Sequence, residues 1–550
     1  DKKVNVFGNF NYNYRKLLND LTIDRKFYNS NGQLDAGLFL FNRMLYPTHT
    51  YNSRIGVDYF AGKKTIIGIL VNGFLNDQTK YVDNNSTVFG PNAVAQSYIR
   101  TNSTTIDDTK HYGINLNFKH SIDSLGQEIT VDLDRAVFNK ISTPQFVTGY
   151  YDLNNAPIKA LYLLDGNMRG DLTIHSIKSD YTKPLKKGGK IEAGFKSSFV
   201  KADNDLKFFD KSSGTPVYET GRSNHFIYDE NINAAYLSLH KEWKKIAIQF
   251  GLRAEQANIK GVQLASAEKI DTSYLRIFPS AFMTYKMHKN HEFGFSFSRR
   301  IGRPTYNQLN PFRSFIDLTS FNTGNPFLRP EFTNSFELSY TLYQKTTLSL
   351  SYSRTMDVIS WIIKPINTPD GPVSVETNDN ISYSDFVGLN VSNQFSPLKG
   401  WNSVTNLNIF RVIPNGVIEN TQASASGIVY NINNNQSFSL PKRWSAELSL
   451  NYSGAQQSAF AYSMPQWMLS AGVQKVIMGG KSTVRFNVSD IFWRFFPRVT
   501  STFINYQQYF TAVRDTRIAS LNFIYRFGKN TVAGSRRRTT GVEEEKSRAQ

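Results

Sequence analysis

The stretch His111-Tyr112-Gly113-Ile114-Asn115-Leu116-Asn117-Phe118-Lys119 decides the fold. Tyr112, Ile114, Leu116 and Phe118 alternate with His111, Gly113, Asn115, Asn117 and Lys119. A period of two puts the apolar set on one face of a β-strand and the polar set on the other. The beat recurs far along the chain. Phe293, Phe295 and Phe297 alternate with Gly294, Ser296 and Ser298, and Phe336, Leu338, Tyr340 and Leu342 with Glu337, Ser339 and Thr341. Trp444, Ala446, Leu448, Leu450 and Tyr452 alternate with Ser445, Glu447, Ser449 and Asn451. A soluble sandwich shows such alternation in a few strands but does not need long strands in nearly every hairpin. A bilayer crossing does need them, at ~9–11 residues per strand. In lipid the sheet must also close, so that its backbone is fully paired.

Short polar turns separate the strands, most of them with lysine. They are Gly62-Lys63-Lys64, Asp123-Ser124-Leu125-Gly126, Lys186-Lys187-Gly188-Gly189-Lys190, Lys244-Lys245, Lys289-Asn290, Gln344-Lys345, Pro397-Leu398-Lys399-Gly400, Pro441-Lys442-Arg443 and Gly479-Gly480-Lys481. Their separation of roughly 40 to 60 residues is several times that of simple hairpin loops. Each interval holds a strand, a longer Asn/Ser/Thr-rich connection and a second strand. Short turns on one rim and long loops on the other are the asymmetry of an outer-membrane barrel. The spacing predicts an all-β, transmembrane antiparallel β-barrel of about 20 strands in this chain. The barrel spans residues 1–527 and its first strand begins at Val4. Asp1-Lys2-Lys3 reads as one more short turn, as if a hairpin preceded it. The short turns are expected in the periplasm, and loops near Asn84, Asp165, Ser213, Asn307, Asp370 and Ala459 outside.

Composition agrees. Hydrophobic residues make up 40% and charged residues 19%, while aromatics reach 14%, with 41 Phe and 29 Tyr. So much aromatic surface with so little aliphatic bulk suits barrel girdles better than a soluble core. Mean hydropathy is −0.39, and no stretch approaches the ~18 apolar residues of a membrane helix. Trp243, Trp401 and Trp444 sit beside short turns, where indole prefers the membrane interface. The chain has no cysteine, which excludes thiol catalysis, a disulfide framework and cysteine-ligated zinc. Its net charge of +19 comes without any nucleic-acid motif. Lysines spread over turns and lumen, beside phosphate-bearing lipids, account for it, so the expected surroundings are outer-membrane lipid and lipopolysaccharide. The chain opens at Asp1 without an initiator Met, charged n-region or apolar h-region, and so reads as a mature or truncated sequence.

The final strand carries Leu521, Phe523, Tyr525 and Phe527 on one face, an aromatic edge of the kind an outer-membrane insertion machine recognises. Beyond it, residues 528–550 hold Arg536-Arg537-Arg538 and Glu543-Glu544-Glu545 and almost nothing apolar, and are expected to be a disordered periplasmic tail.

Three stretches carry a family resemblance. They are Ser298-Arg299-Arg300-Ile301-Gly302-Arg303-Pro304, Leu309-Asn310-Pro311-Phe312 and Gly324-Asn325-Pro326-Phe327-Leu328-Arg329-Pro330-Glu331. They resemble the signature of TonB-dependent transporter barrels, with Phe327 where Asn is usual. Together with the final strand and the Arg-rich then Glu-rich tail, nearly the whole chain is similar to the outer membrane protein beta-barrel family of Bacteroidota. The resemblance implies a barrel of about 22 strands, preceded by a globular plug and a short energy-coupling segment. Neither plug nor coupling segment is found in these 550 residues. Gly324 and Pro326 break loop geometry. Pro330 fixes φ at a strand start, where a missing N–H is tolerated. The motif therefore reads as a structural device rather than a ligand contact.

Asp132, Asp134, Glu192, Lys196, Glu337, Glu447 and Arg485 fall on inward positions, where they are expected to contact a plug, pair with one another, or tune a pore. His288 and His291 share a tight turn without a carboxylate or Cys partner, which is too little for a metal site. Asp165-Gly166-Asn167 and Asp370-Gly371 are turn chemistry rather than calcium loops. There is no nucleophile elbow, phosphate loop or His-Glu zinc helix, and no cofactor or enzymatic activity is expected. The leading expectation is energised uptake of a ligand too large for porins, with a plug (upstream or a separate chain) and a TonB-type energy-coupling protein as partners. The alternative is an accessory or scaffold barrel in a larger outer-membrane complex, with a surface lipoprotein or other subunits, and a passive porin comes third. The aromatic edge makes the first prediction: removing Phe523–Phe527, or Phe527→Ala, lowers the amount of heat-modifiable barrel in the outer membrane. Normal amounts after the truncation would refute that role.

Overall fold

The computed structural model describes residues 3–265, 267–317, 320–368, 371–418, 421–423, 427–528 and 540–549. One continuous sheet contains 27 strands. Six are short extensions, and Tyr506–Arg514 and Ala519–Tyr525 are two halves of one stave, which leaves 20 wall strands. Consecutive wall strands pair antiparallel, from Val4–Tyr28 with Leu34–Phe60 onward. The first stave meets the last in an antiparallel ladder from Asn19↔Arg514 to Phe27↔Tyr506, so the sheet closes on itself. On the lumen side of this seam Arg25 is buried, and its Nε donates to Gln508 Oε1 at 2.8 Å. The Tyr506 hydroxyl donates to the same oxygen at 2.6 Å. Among the described residues no ladder continues the seam over Ala519–Tyr525, whose registered partner is Ser482–Val488 on its other side.

The sidedness is inverted relative to a soluble protein. Leu116 is 48% exposed, whereas Asn115 and Asn117 on the opposite face are 3% and 7% exposed. The outward set Tyr112, Ile114, Leu116 and Phe118 continues laterally into Ile67, Ile69 and Val71 of the neighbouring strand. This apolar belt lies next to the short turns. All the short turns read from the sequence join successive wall strands. Gly400 shows why some of these turns use glycine: its φ is +85°, and an added Cβ would lie 2.8 Å from the Ser439 carbonyl oxygen. At the same rim Trp243 and Trp444 are exposed, with the Lys241 and Lys475 ammonium groups 5.8 and 4.7 Å from their ring centres. The Trp401 Nε1 donates to Gln436 Oε1 at 2.6 Å.

The first six wall strands run for 24 to 27 residues, more than twice the ~9–11 that cross a bilayer. Their far halves stand clear of the apolar belt. This corrects the loop positions read from the sequence. Asn84 and Asp165 belong to the strands Thr65–Phe89 and Tyr162–Leu185, and the connections are residues 90–94 and 152–161. Ser213 and Ala459 do lie in far-rim connections, and Asp370 lies outside the described residues. Once both faces are polar the period-two signal vanishes, and paired Asn and Thr residues look like loop. Asn84 bonds Asn42 across strands, and Thr101 bonds Thr148 at 2.9 Å.

The inverted wall makes Leu116 a lipid contact. Leu116→Arg should lower unfolding stability in liposomes by about 2–4 kcal/mol, the cost of a mid-bilayer cation, while Asn115→Ser should change it far less. Equal effects at both positions would refute the assigned faces.

Candidate functional site

The lumen wall is polar near the short turns and becomes apolar further along the same strands. On Glu128–Tyr151 the inward positions pass from Asp132 and Asp134 to Ala136 and Phe138. On Tyr162–Leu185, Ile174 and Leu172 lie beyond Lys178 and Ser176. On Gly189–Asp210, Val200 and Ala202 follow Lys196 and Ser198, and on Asn224–Glu242, Tyr228 and Phe226 lie beyond Glu230. Ala136, Ile174, Val200, Ala202 and Phe226 form a buried apolar shelf inside the barrel. Apolar surface in a wet lumen needs cover, and two segments supply it.

The first is the connection 303–330, between His291–Gly302 and Glu331–Leu342. Thr305 and Gln308 form a capping box: the Gln308 N–H donates to Thr305 Oγ1 at 3.2 Å, and the Thr305 N–H to Gln308 Oε1 at 2.9 Å. The box starts a short helix, α1 (Tyr306–Leu309), whose Tyr306 and Leu309 join the shelf. The returning chain lies against α1. The Gly324 N–H donates to Asn310 O at 2.9 Å, and the Asn325 N–H to Gln308 O at 2.6 Å. An added Cβ at Gly324 would stand 2.3, 2.7 and 2.8 Å from the carbonyl oxygens of Asn310, Gln308 and Asn307, so only glycine fits. Asn325 Oδ1 accepts from the Phe327 N–H at 3.0 Å across Pro326, and Asn325 Nδ2 donates to Asn378 O at 3.1 Å. The Arg329 guanidinium pairs with Asp357 at 2.8 Å, and Asn380 bonds the Arg329 backbone in both directions. After Pro330, Glu331 Oε1 accepts from the Ile359 N–H at 2.5 Å. A short parallel ladder, Ser320–Asn322 on Ser374–Glu376, fastens the middle of the connection to the wall. Asn307, expected in an outer loop, therefore lies in the lumen.

The second cover is the end of the chain, and it departs from the expected disordered tail. Residues 540–549 sit on the lumen wall, with a second short helix, α2 (Glu543–Arg548). Val542 packs into the shelf. The Gly541 N–H donates to Asp134 Oδ2 at 2.8 Å, and Lys196 pairs with Glu545 at 2.8 Å. Arg303 holds tail and wall together, with one Nη 2.6 Å from Glu544 and the other 2.5 Å from Glu255. Arg548 pairs with Glu230 at 2.6 Å, donates to the Pro304 carbonyl at 3.0 Å and lies 4.5 Å above the Tyr306 ring. Burial disfavours charge on Arg303 and Arg548. The carboxylates of Glu544 and Glu255 outweigh it for Arg303, and Glu230 does so for Arg548, holding both guanidinium pKa values above their usual position. Composition hid this docking because the tail is held by paired charges rather than by apolar bulk. Arg536–Arg538 lie outside the described residues.

Of the inward charges read from the sequence, Asp134 and Lys196 thus meet the tail. Asp132 accepts from Asn115 Nδ2 at 3.3 Å. Glu192 pairs with Lys190 at 2.9 Å, and Arg485 with Glu447 at 2.5 Å across the strand Gln466–Ile477. Glu337 keeps its inward parity between Ser335 and Ser339. Sequence reading missed Glu230, Glu255, Tyr306 and Arg548. A signal was present, since inward positions that turn apolar, as at Phe226 and Tyr228 beside Glu230, mark wall that something must cover. Between wall, connection and tail lies a cavity of about 790 Å³. Asn139, Asn204, Gln308 and Asn378 bring amides to it, Phe138 and Trp361 bring rings, and Ala549 forms part of its lining.

A family model, the outer membrane protein beta-barrel family, matches residues 120–525, well over half of the chain. The chain belongs to that family. It is an outer-membrane β-barrel protein. No curated protein sequence matches it. Among solved structures it is similar to the copper transporter OprC, with TM-score 0.55 and 11% identity over 91% of this chain and 80% of that one. It is similar to the ferric-catecholate import receptor Fiu from K12 E. coli in closed form, with TM-score 0.55 and 10% identity over 91% and 82%. FpvA of P. aeruginosa, bound to an iron complex of a heterologous pyoverdine, gives TM-score 0.51 and 10% identity over 90% and 71%. At such identities the likeness is one of fold.

The packing of Gly324 generates a prediction. Gly324→Ala should destabilise the inward connection by about 1–3 kcal/mol, as overpacking against fixed atoms does. Proteolysis within residues 311–323 should then speed up while the barrel stays heat-modifiable. Unchanged cleavage would show that the close approach at Gly324 is unimportant.

Proposed function

We propose that this chain forms the barrel of a TonB-dependent outer-membrane transporter that takes up, by energised transport, a ligand too large for porins. The lumen carries this reading. Twenty staves enclose an interior too wide for wall side chains to fill. An inward connection fixed at both ends narrows it around a cavity of amides and rings. Transport is what the name of the similar copper transporter states, and import what that of the ferric-catecholate receptor states.

The connection and tail cover only one sector of the wall. Glu337, Glu447 and Arg485 lie outside it, facing lumen that we assign to a plug, upstream in the same product or on a separate chain. The edge of Ala519–Tyr525 that lacks a ladder supports a barrel completed to about 22 strands by one hairpin seated there, because lipid cannot satisfy an open edge. A TonB-type protein would supply the energy. The apolar belt beside the short turns supports their placement in the periplasm, with the long far halves of the strands outside.

Conductance in planar bilayers tests the reading. The whole protein with its plug should be nearly silent, and the 550-residue chain alone leaky or unstable. Steady conductance by the isolated chain, from a product with no plug or plug partner, would make it a porin. Orientation is tested separately: a single cysteine at Ser213 should label in intact cells, and one at Lys399 only after permeabilisation. The reverse pattern would overturn the sidedness.

A further inference from the structure

We infer that the lumen wall carries a peptide-binding socket whose occupant is the chain's own C-terminal segment, residues 540–549, and that this segment straps the connection 303–330 to the wall. The inference stands apart from the transport reading, since it concerns only what holds the connection in place.

The contacts are complementary in kind and in order. The tail offers two carboxylates and then a guanidinium, Glu544, Glu545 and Arg548. The socket offers Arg303, Lys196 and Glu230 opposite them. The side chains of Glu545 and Glu230 are 1% and 0% exposed, and that of Arg303 is 2% exposed. Ions removed from water this far persist only when they are paired and hydrogen-bonded. A tail lying loosely on a wet wall would leave them solvated. The backbone fits as closely. An added Cβ at Gly541 would stand 2.8 Å from Asp134 Oδ2 and 2.9 Å from Ser176 Oγ, so any side chain there would have to displace these two groups.

The strap follows from which groups are shared. Arg303 belongs to the connection, yet it spans wall Glu255 and tail Glu544. Arg548 belongs to the tail, yet it bonds wall Glu230 and the Pro304 carbonyl and covers the Tyr306 ring of α1. Withdrawing the tail removes one partner from Arg303 and uncovers the Tyr306 ring face over which Arg548 lies. It also takes Ala549 out of the cavity lining.

These 550 residues hold no cysteine, so a label can be placed at one chosen site among them. Ser547 is exposed on α2, so Ser547→Cys in the whole protein can carry a nitroxide. Its spectrum should be immobilised. Lys196→Glu should make it mobile, and Lys196→Glu combined with Glu545→Lys should restore the immobilised form. A mobile label in the parent, no response to Lys196→Glu, or no rescue by the exchange would overturn the socket. For the strap, deleting residues 540–550 should speed proteolysis within 311–323 by about tenfold or more, as expected for a segment whose local opening is no longer opposed. A synthetic peptide of residues 540–550 should slow it again, and a scrambled peptide should not. Unchanged cleavage in a deletion variant that remains a heat-modifiable barrel would overturn the strap. If the deletion variant fails to fold, cleavage in the Lys196→Glu variant decides instead: faster cutting supports the strap and an unchanged rate overturns it.

Discussion

Lipid offers no partner to a peptide group, and the rest of this structure depends on that constraint. Every N–H and C=O within the hydrocarbon layer must be paired inside the protein. Long antiparallel ladders satisfy it between neighbouring staves, whereas the ladder from Asn19↔Arg514 to Phe27↔Tyr506 joins the first and last staves in their far halves, clear of the apolar belt. The same solvent inverts the usual sidedness. Leu116 lies on the surface and Asn115 in the interior because the surface is the apolar side. Turn chemistry follows as well, since each stave must reverse within a few residues at the short rim, where Gly400 takes a φ that other residues rarely adopt.

Closing so wide a sheet creates a second problem, an interior that its own side chains cannot fill. In one sector the chain answers with the pieces of a small soluble core. An apolar shelf on four wall strands is covered by Tyr306 and Leu309 from one segment and Val542 from another. Adhesion comes from these apolar contacts, and position from the charges around them. Buried ion pairs are weak evidence for net stability, but mispairing them is costly. Arg303 and Arg548 therefore make one docked arrangement of wall, connection and tail much better than its neighbours. Arg303 sits at the centre, because one planar fork reaches a wall carboxylate and a tail carboxylate at once.

The strands nearest the short turns were legible in sequence because lipid on one side and water on the other impose a period of two on every stave. Legibility ended where that contrast ends. Above the belt the outward face meets water instead of lipid, so the paired Asn84 and Asp165 read as loop. The Gly-Asn-Pro and Arg-Pro-Glu elements were legible as geometry breakers, and Gly324 is where the returning chain passes closest to the carbonyls of α1. Their direction was not, because a loop that folds inward and one that stands outward use the same breakers. The docking of residues 540–549 was hidden for a related reason. Composition counts apolar residues, and this segment docks through carboxylates and a guanidinium whose partners lie hundreds of positions away.

By itself, then, the sequence determined the wall: antiparallel strands in about 20 staves, which side of each faces lipid, where the short turns fall, and the signature of the family. These are local properties, written in residues two apart or in a turn of a few residues, and solvent contrast alone reads them out. Only the tertiary structure decided what occupies the lumen. That Asp134 and Lys196 meet the tail while Glu447 turns to Arg485 depends on which wall positions face each other across a closed sheet. So does the meeting of Arg303 with Glu255 and Glu544. Such pairings are fixed by closure and register, which no single strand contains.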